Sequence, residues 1–167
     1  HPKSFETMLE MEYQEQRKEV QKQIGLLRDN YLSDLGFNNV FHRHGFEADD
    51  VIASICKMDV SRYQRDGLNG PTVIVSADHD LYQLLEENRV RMYEPSKDRL
   101  LDEQGFHEQW GIDPKLWPNV KAIAGCVSDG VKGVPGVGEK TAAKYLRGEL
   151  SPQTKSWVKI AGDGRII

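Results

Sequence analysis

The 167-residue chain holds only two cysteines, Cys56 and Cys126. Two thiols cannot build the disulfide framework of a small secreted scaffold. A reducing, cytoplasmic setting is therefore the expectation. No basic-then-apolar leader opens the chain, so export is not expected. The apolar runs, such as Thr72–Val75, fall far short of the ~20 residues that cross a bilayer, so no membrane role is expected. No heptad pattern or long apolar stripe calls for self-association, and a monomer is expected. There is no internal repeat and no low-complexity tract. The first residue is His1 rather than Met, and the chain is read as a piece of a longer protein. What is present is ordinary for a folded domain: 38% apolar and 29% charged residues, in a length that suits about one domain of ~100–200 residues.

Charge is informative once divided. Residues 130–167 carry seven basic and three acidic side chains, net +4, whereas the remainder is net −8. Such asymmetry arises by chance in many proteins, and it also arises where one part of a chain meets a polyanion.

Hydrophobic periodicity predicts one long helix over residues 4–34, with Phe5, Leu9 and Tyr13 and then Val20, Ile24, Leu27, Tyr31 and Leu35 at spacings of three and four. Gly36 supplies the left-handed residue that ends it. Asn39–His42 reads as a short strand and Glu47–Met58 as a second helix. Residues 61–71 read as a loop. Thr72–Ser76 is a β-branched run of the kind buried on both faces of a parallel sheet. A short helix over Asp80–Glu87 and a strand over Val90–Tyr93 follow, and the alternation implies a parallel α/β sheet. Asp113-Pro114 opens a helix over 113–126, as a cap followed by Pro at the first position. Trp110, Trp117 and Trp157 read as core anchors.

Carboxylates cluster at three places. Glu47, Asp49 and Asp50 open the second helix. Asp78 and Asp80 follow the strand at 72–76, where open α/β sheets place their ligand sites. Asp129 lies in a loop after Cys126. Single acids at helix starts and turns are ordinary caps. Five or six at one sheet edge cannot all remain ionised without cations. Hard oxygen-liganded ions, Mg²⁺ or Mn²⁺, meet that need, and two of them suit phosphodiester displacement. His79, between two of these acids, reads as incidental. Six of the 15 glycines fall between Gly125 and Gly148. In GVPGVGEKTAAKYL (133–146), Gly133, Gly136 and Gly138 flank Val134 and Val137 ahead of a helix carrying Lys140, Thr141 and Lys144. Glycine N–H groups and a helix start are suited to phosphate, and they grip a nucleic-acid backbone without reading its sequence.

FEADD (46–50), VIVSADHDLYQLL (73–85) and SDGVKGVPGVGEKTAAKYL (128–146) resemble, in order and spacing, the 5′-nuclease superfamily of flap endonucleases, polymerase-associated 5′–3′ exonuclease domains and phage 5′-exonucleases. The resemblance runs from Phe5 to about Leu150. It implies an α/β, PIN-like nuclease core with a parallel sheet over residues 1–112, and a helix-hairpin-helix (H3TH) DNA-binding region over 113–167. It implies metal ligands at Glu47, Asp49 and Asp50 for one divalent ion, and at Asp78, Asp80 and Asp129 for another. It also implies K⁺ held by carbonyls of the hairpin 131–138, with duplex DNA gripped there. The implied activity is metal-dependent 5′–3′ exonuclease or flap endonuclease hydrolysis of 5′-flap, nicked or 5′-ended DNA, with RNA in hybrids as a further substrate. Phe5, Leu9, Tyr13 and Arg17 match the family's arch helix, and Arg17 is implied to steer the scissile phosphate.

The departures are Glu6 and Gln14, where the family carries basic residues; Cys126, where bacterial and phage members carry Asp; Gly130, where Asn is usual; and a leading strand and acids absent ahead of Phe5. They suit an alternative, a DNA-binding relative with impaired catalysis.

Overall fold

A computed structural model describes residues 5–58, 70–126 and 130–164. Asp129 and most of the expected loop at 61–71 lie outside the described residues. The chain divides into two units, residues 1–47 and 48–167. The division therefore falls well before the expected boundary at 112/113. Ile112, Trp110 and Trp117 share one core with Ile74 and Met92, so no break in packing occurs at 112.

The first unit is helical. Helix α1 (Phe5–Leu26) continues through a π-helical stretch, Leu27–Tyr31, into the short α2 (Leu32–Asp34). The expected single helix is thus present with one widened turn. It ends as its glycine requires: Gly36 has φ +90, its N–H donates to the Ser33 carbonyl, and the Phe37 N–H donates to the Leu32 carbonyl. This is the paired closure of a Schellman motif. The expected strand at Asn39–His42 is not formed. The described residues of this unit offer no strand to pair with it, and a strand needs a partner for its backbone groups.

The second unit opens with α3 (Ala48–Lys57), whose first turn carries Asp49 and Asp50, a placement favoured by the helix dipole. Strand β1 (Thr72–Val75) pairs in parallel with β2 (Val90–Glu94), as the alternation predicts. The 3₁₀ helix His79–Leu84 lies between them. β3 (Arg99–Leu101) then pairs antiparallel to β2, so the sheet is mixed, in the order β1-β2-β3. Only a tight Pro95–Asp98 turn joins β2 to β3, and so short a connection permits only an antiparallel return. β1 is not buried on both faces. Ile74 is 5% exposed but Val73 and Val75, on the opposite face, are 46% and 66% exposed.

Helix α4 (Glu103–Trp110) is capped by Asp102, whose side chain accepts from the Gly105 N–H, and it stops at Gly111 with φ +67. The Asp113-Pro114 signal starts a 3₁₀ turn, Pro114–Leu116, which leads into α5 (Trp117–Ala124). The ribbon of β4 (Gly125–Cys126) and β5 (Val131–Lys132) follows, then α6 (Glu139–Leu146) and α7 (Lys155–Ala161). The core centres on Tyr82, Phe106 and Trp117. Their rings meet edge-to-face at 5.2–5.6 Å, each pair adding about 0.5–1.5 kcal/mol beyond area burial. Glycine is obligatory in the ribbon: a Cβ on Gly133 would overlap the Ala124 carbonyl, and one on Gly125 would overlap the Gly133 N–H. No helix among the described residues is long and apolar enough to cross a membrane.

Candidate functional site

Strand β1 ends at Val75, and the chain turns at once into the 3₁₀ helix that carries the second acidic pair. Asp78 caps that helix: its Oδ1 accepts from the Asp80 N–H at 2.9 Å, and its own N–H donates to Ser76 Oγ at 3.0 Å. Asp80 is half-buried. Its Oδ1 is shut off from solvent, and the Lys121 ammonium from α5 faces it at 3.0 Å as an ion pair. Lys121 also faces Glu139 Oε1 at 3.5 Å, in the first turn of α6. Burial pulls the Lys121 pKa down, but its pairing with Asp80 and the charges around it outweigh burial and raise it.

His79 joins the same network and is not incidental. It stacks on Tyr82 at 4.7 Å between ring centroids, and its two nitrogens face Glu139 at 3.8 Å and Glu94 at 3.9 Å. Glu94 is the buried hub, 1% exposed. It accepts from the Tyr82 hydroxyl at 2.7 Å, from Lys97 at 2.7 Å and from Arg99 Nε at 2.8 Å. Burial alone would raise its pKa. The donors from Lys97, Tyr82 and Arg99 overcome that and hold it at about 2. The Tyr82 hydroxyl is driven upward by burial and by the Glu94 charge. The polar chain Glu94–His79–Glu139–Lys121–Asp80 thus links the end of β2 to the 3₁₀ helix, α5 and the start of α6.

The remaining expected residues fall as follows. Asp49 is half-buried and Asp50 exposed in α3, which packs along the 3₁₀ helix. Glu47, in the first unit, is exposed. Arg17 is exposed on α1, its guanidinium 5.8 Å from the Tyr13 ring centroid. Among the described residues, no three Asp, Glu, His or Cys side chains form a cluster able to hold a metal ion. Asp129 is outside that set. The feature that does suit a hard cation is Asp80 Oδ1, a buried anionic oxygen that already faces the positive charge of Lys121.

The glycine segment forms a tight turn between α5 and α6, which pack on each other. The Val134 N–H donates to the Ile123 carbonyl at 2.8 Å, and the Val137 N–H closes back on the Val134 carbonyl at 3.0 Å. Both valine side chains are in the core, at 3% and 5% exposed. Val134 is thereby an anchor of the turn, with neither its side chain nor its N–H left for a ligand. Gly133 is half-buried against the ribbon; Gly136 and Gly138 are exposed, as are Lys140 and Lys144, with Thr141 half-buried. Gly138 caps α6, its carbonyl accepting from Thr141 and Ala142, which leaves the helix's first N–H groups directed outward. Sequence reasoning missed Lys121, Glu139 and Lys159. The legible signal for Lys121 was a single charged residue inside the apolar helix WPNVKAIA.

Residues 1–111 match the family described as 5′-3′ exonuclease, N-terminal resolvase-like domain. Among curated relatives, DNA polymerase I of Rhizobium leguminosarum is 36% identical over 130 residues, which is 77% of this chain and 12% of that protein. A 5′-3′ exonuclease of Streptomyces coelicolor is 41% identical over 107 residues, covering 61% of this chain and 33% of the relative. The chain thus spans between about an eighth and a third of these relatives' lengths. Among solved structures, the 5′-exonuclease of bacteriophage T5 with bound divalent zinc aligns over 91% of this chain and 58% of its own, with TM-score 0.69 and 22% identity. A T5 flap endonuclease complex with DNA and metal ions aligns over 93% of this chain and 61% of its own, with TM-score 0.67 and 22% identity. These likenesses establish the fold, and the match over two thirds of the sequence establishes the kinship: the chain belongs to the 5′-3′ exonuclease N-terminal, resolvase-like family.

Proposed function

We propose that this chain is the core of a divalent-metal-dependent 5′-nuclease that hydrolyses phosphodiesters near DNA 5′ ends, as a 5′–3′ exonuclease or flap endonuclease. The observation that carries the reading is the buried oxygen of Asp80, which faces Lys121 and is tied through it to the helix that follows the glycine turn. A buried carboxylate calls for positive charge, which Lys121 supplies here and a metal ion would supply in its place, and Lys121 leads directly to the element best suited to hold a DNA backbone.

Asp78, Asp80 and Asp129 would hold one Mg²⁺ or Mn²⁺ ion, and Glu47, Asp49 and Asp50 the other. Bound there, such ions supply positive charge to a phosphate and a water of lowered pKa. The chain's own residues do the positioning. Asp78 fixes the 3₁₀ turn by accepting from the Asp80 N–H, which orients Asp80. Lys121 balances Asp80 when no metal is bound. Arg17 steers the scissile phosphate. The N–H groups around Gly136 and Gly138, with Lys140, Thr141 and Lys144, hold the duplex backbone in the manner of a helix-hairpin-helix. Gly133 and Val134 anchor that element, and carbonyls within 131–138 hold K⁺. The protein acts on 5′-flap, nicked or 5′-ended DNA as a monomer.

The test uses the full chain with a 5′-flap duplex, Mg²⁺ or Mn²⁺, and an Asp78→Asn/Asp80→Asn double variant. Cleavage by the unaltered chain that the variant loses supports the enzyme. Salt-sensitive binding with no cleavage by either protein supports the non-catalytic DNA-binding relative instead. Lys121 seated on Asp80 is the observation that favours this second reading.

A further inference from the structure

The turn between α5 and α6 has a feature that the glycine pattern does not explain. Val134-Pro135-Gly136-Val137 is closed by the Val137 N–H to Val134 carbonyl bond, with Pro at the second position and Gly136 at φ +78. Those are the marks of a type II turn. In such a turn the peptide between Pro135 and Gly136 can face either way. Turning it over gives a type I turn and moves the Gly136 N–H to the opposite side. In this structure the peptide is held from outside the turn. The Lys159 ammonium, from α7, donates to the Pro135 carbonyl at 2.9 Å across a sequence separation of 24 residues.

A trans peptide carries its C=O and N–H in opposite directions, and the chain has no cis peptide among its described residues. Fixing the Pro135 carbonyl toward Lys159 therefore fixes the Gly136 N–H away from it. That N–H has no acceptor among the described residues, and Gly136 is exposed. Lys159 is itself exposed, and its recorded bond is to this carbonyl. An exposed lysine ordinarily stays in water. A lysine that bends to a neutral turn carbonyl gives up side-chain freedom, and what it secures is the orientation of one peptide.

We propose that Lys159 is a positioning residue for phosphate-backbone binding: it holds the Pro135–Gly136 peptide so that the Gly136 N–H faces a DNA phosphate oxygen. The inference rests on the DNA-binding reading of this turn and adds to it a residue from outside the glycine motif. Lys159 acts through the peptide and does not itself touch the phosphate. It therefore contributes to affinity without adding a released counterion.

The test compares the full chain with Lys159→Met and Lys159→Arg variants, in EDTA to prevent cleavage. A fluorescein-labelled 5′-flap duplex is titrated by anisotropy at several KCl concentrations, and the Gly136 amide is followed by ¹⁵N–¹H spectroscopy. K159M weakens binding about tenfold, or about 1.4 kcal/mol, with the salt slope unchanged and the Gly136 amide resonance shifted. K159R, which can still donate to the carbonyl, stays within about twofold. Thermal melts equal to that of the unaltered chain establish that both variants fold. A K159M salt slope reduced by about 0.9 with an unmoved Gly136 amide overturns the inference, because Lys159 then contacts phosphate directly. Equal affinity of K159M and the unaltered chain also overturns it, while leaving the DNA-binding reading intact. Absence of salt-dependent binding by the unaltered chain overturns both.

Discussion

Glu94→Gln tests how the buried charge network supports the acidic turn. In the folded protein Glu94 accepts from Tyr82, Lys97 and Arg99 at 2.7–2.8 Å and is 1% exposed. Its pKa falls from 4.5 to about 2. That difference corresponds to about 3 kcal/mol favouring the ionised, folded form. Removing one member of a buried pair costs ~3–5 kcal/mol. Lys97 and Arg99 are each more than a third exposed and regain water, so the expected cost at pH 7 lies at the lower end, about 3 kcal/mol. The sign of the pH effect is fixed by the direction of the shift. A carboxyl with a depressed folded pKa stabilises fully above about pH 5 and loses that stabilisation as pH falls through 4.5 toward 2. The gap between the unaltered chain and E94Q should therefore narrow by about 1–2 kcal/mol between pH 7 and pH 3.5. Urea unfolding followed by the fluorescence of Trp110 and Trp117, both in the core, measures the gap at each pH. A gap independent of pH, or below about 1 kcal/mol at pH 7, would refute the role assigned to Glu94.

Gly133→Ala places a Cβ into the Ala124 carbonyl; the expected loss is about 3 kcal/mol from forced backbone movement, read by denaturant unfolding, and an unchanged midpoint would show that the ribbon yields freely. Lys121→Met removes the charge facing the buried Asp80 oxygen, so the metal-free protein loses about 1–3 kcal/mol. Mn²⁺ should then raise its Tm by more than it raises that of the unaltered chain, and an equal Mn²⁺ effect on both proteins contradicts a cation at Asp80. Lys144→Ala, exposed on α6, leaves stability within about 0.5 kcal/mol and lowers the salt slope of duplex binding by about 0.9, provided that its ammonium meets a phosphate; an unaltered slope removes Lys144 from the interface.

Much of the architecture was legible from local pattern. Gly36 ends its helix through a left-handed residue, Asp113-Pro114 starts a helical turn, and the run at 72–75 forms a strand paired in parallel with 90–94. Each depends on backbone geometry or alternation over a few residues, and such effects are written into the sequence itself. The crowding of glycines between 125 and 148 was legible, but it was read as access for phosphate, and the close packing of Gly125 against Gly133 emerged only from the structure. The strand at Asn39–His42 failed because a short extended segment carries no information about whether a partner exists. The two-faced burial of β1 failed for a related reason, as a run of β-branched residues does not show whether a layer covers each of its faces.

The acids at 47–50 and 78–80 were legible as clustered carboxylates at a helix start and after a strand. What they face was not legible. Lys121 meets Asp80, His79 stacks on Tyr82, Glu94 is buried beneath Arg99 and Lys97, and Lys159 reaches Pro135. Long flexible side chains can reach many partners, and only the folding of distant segments against one another selects among them. The sequence thus determined most of the helical segments, the parallel strand pair and where helices stop; the tertiary structure alone decided which extended segments find a partner and which charges neutralise one another, because pairing depends on distance in space and is blind to position along the chain.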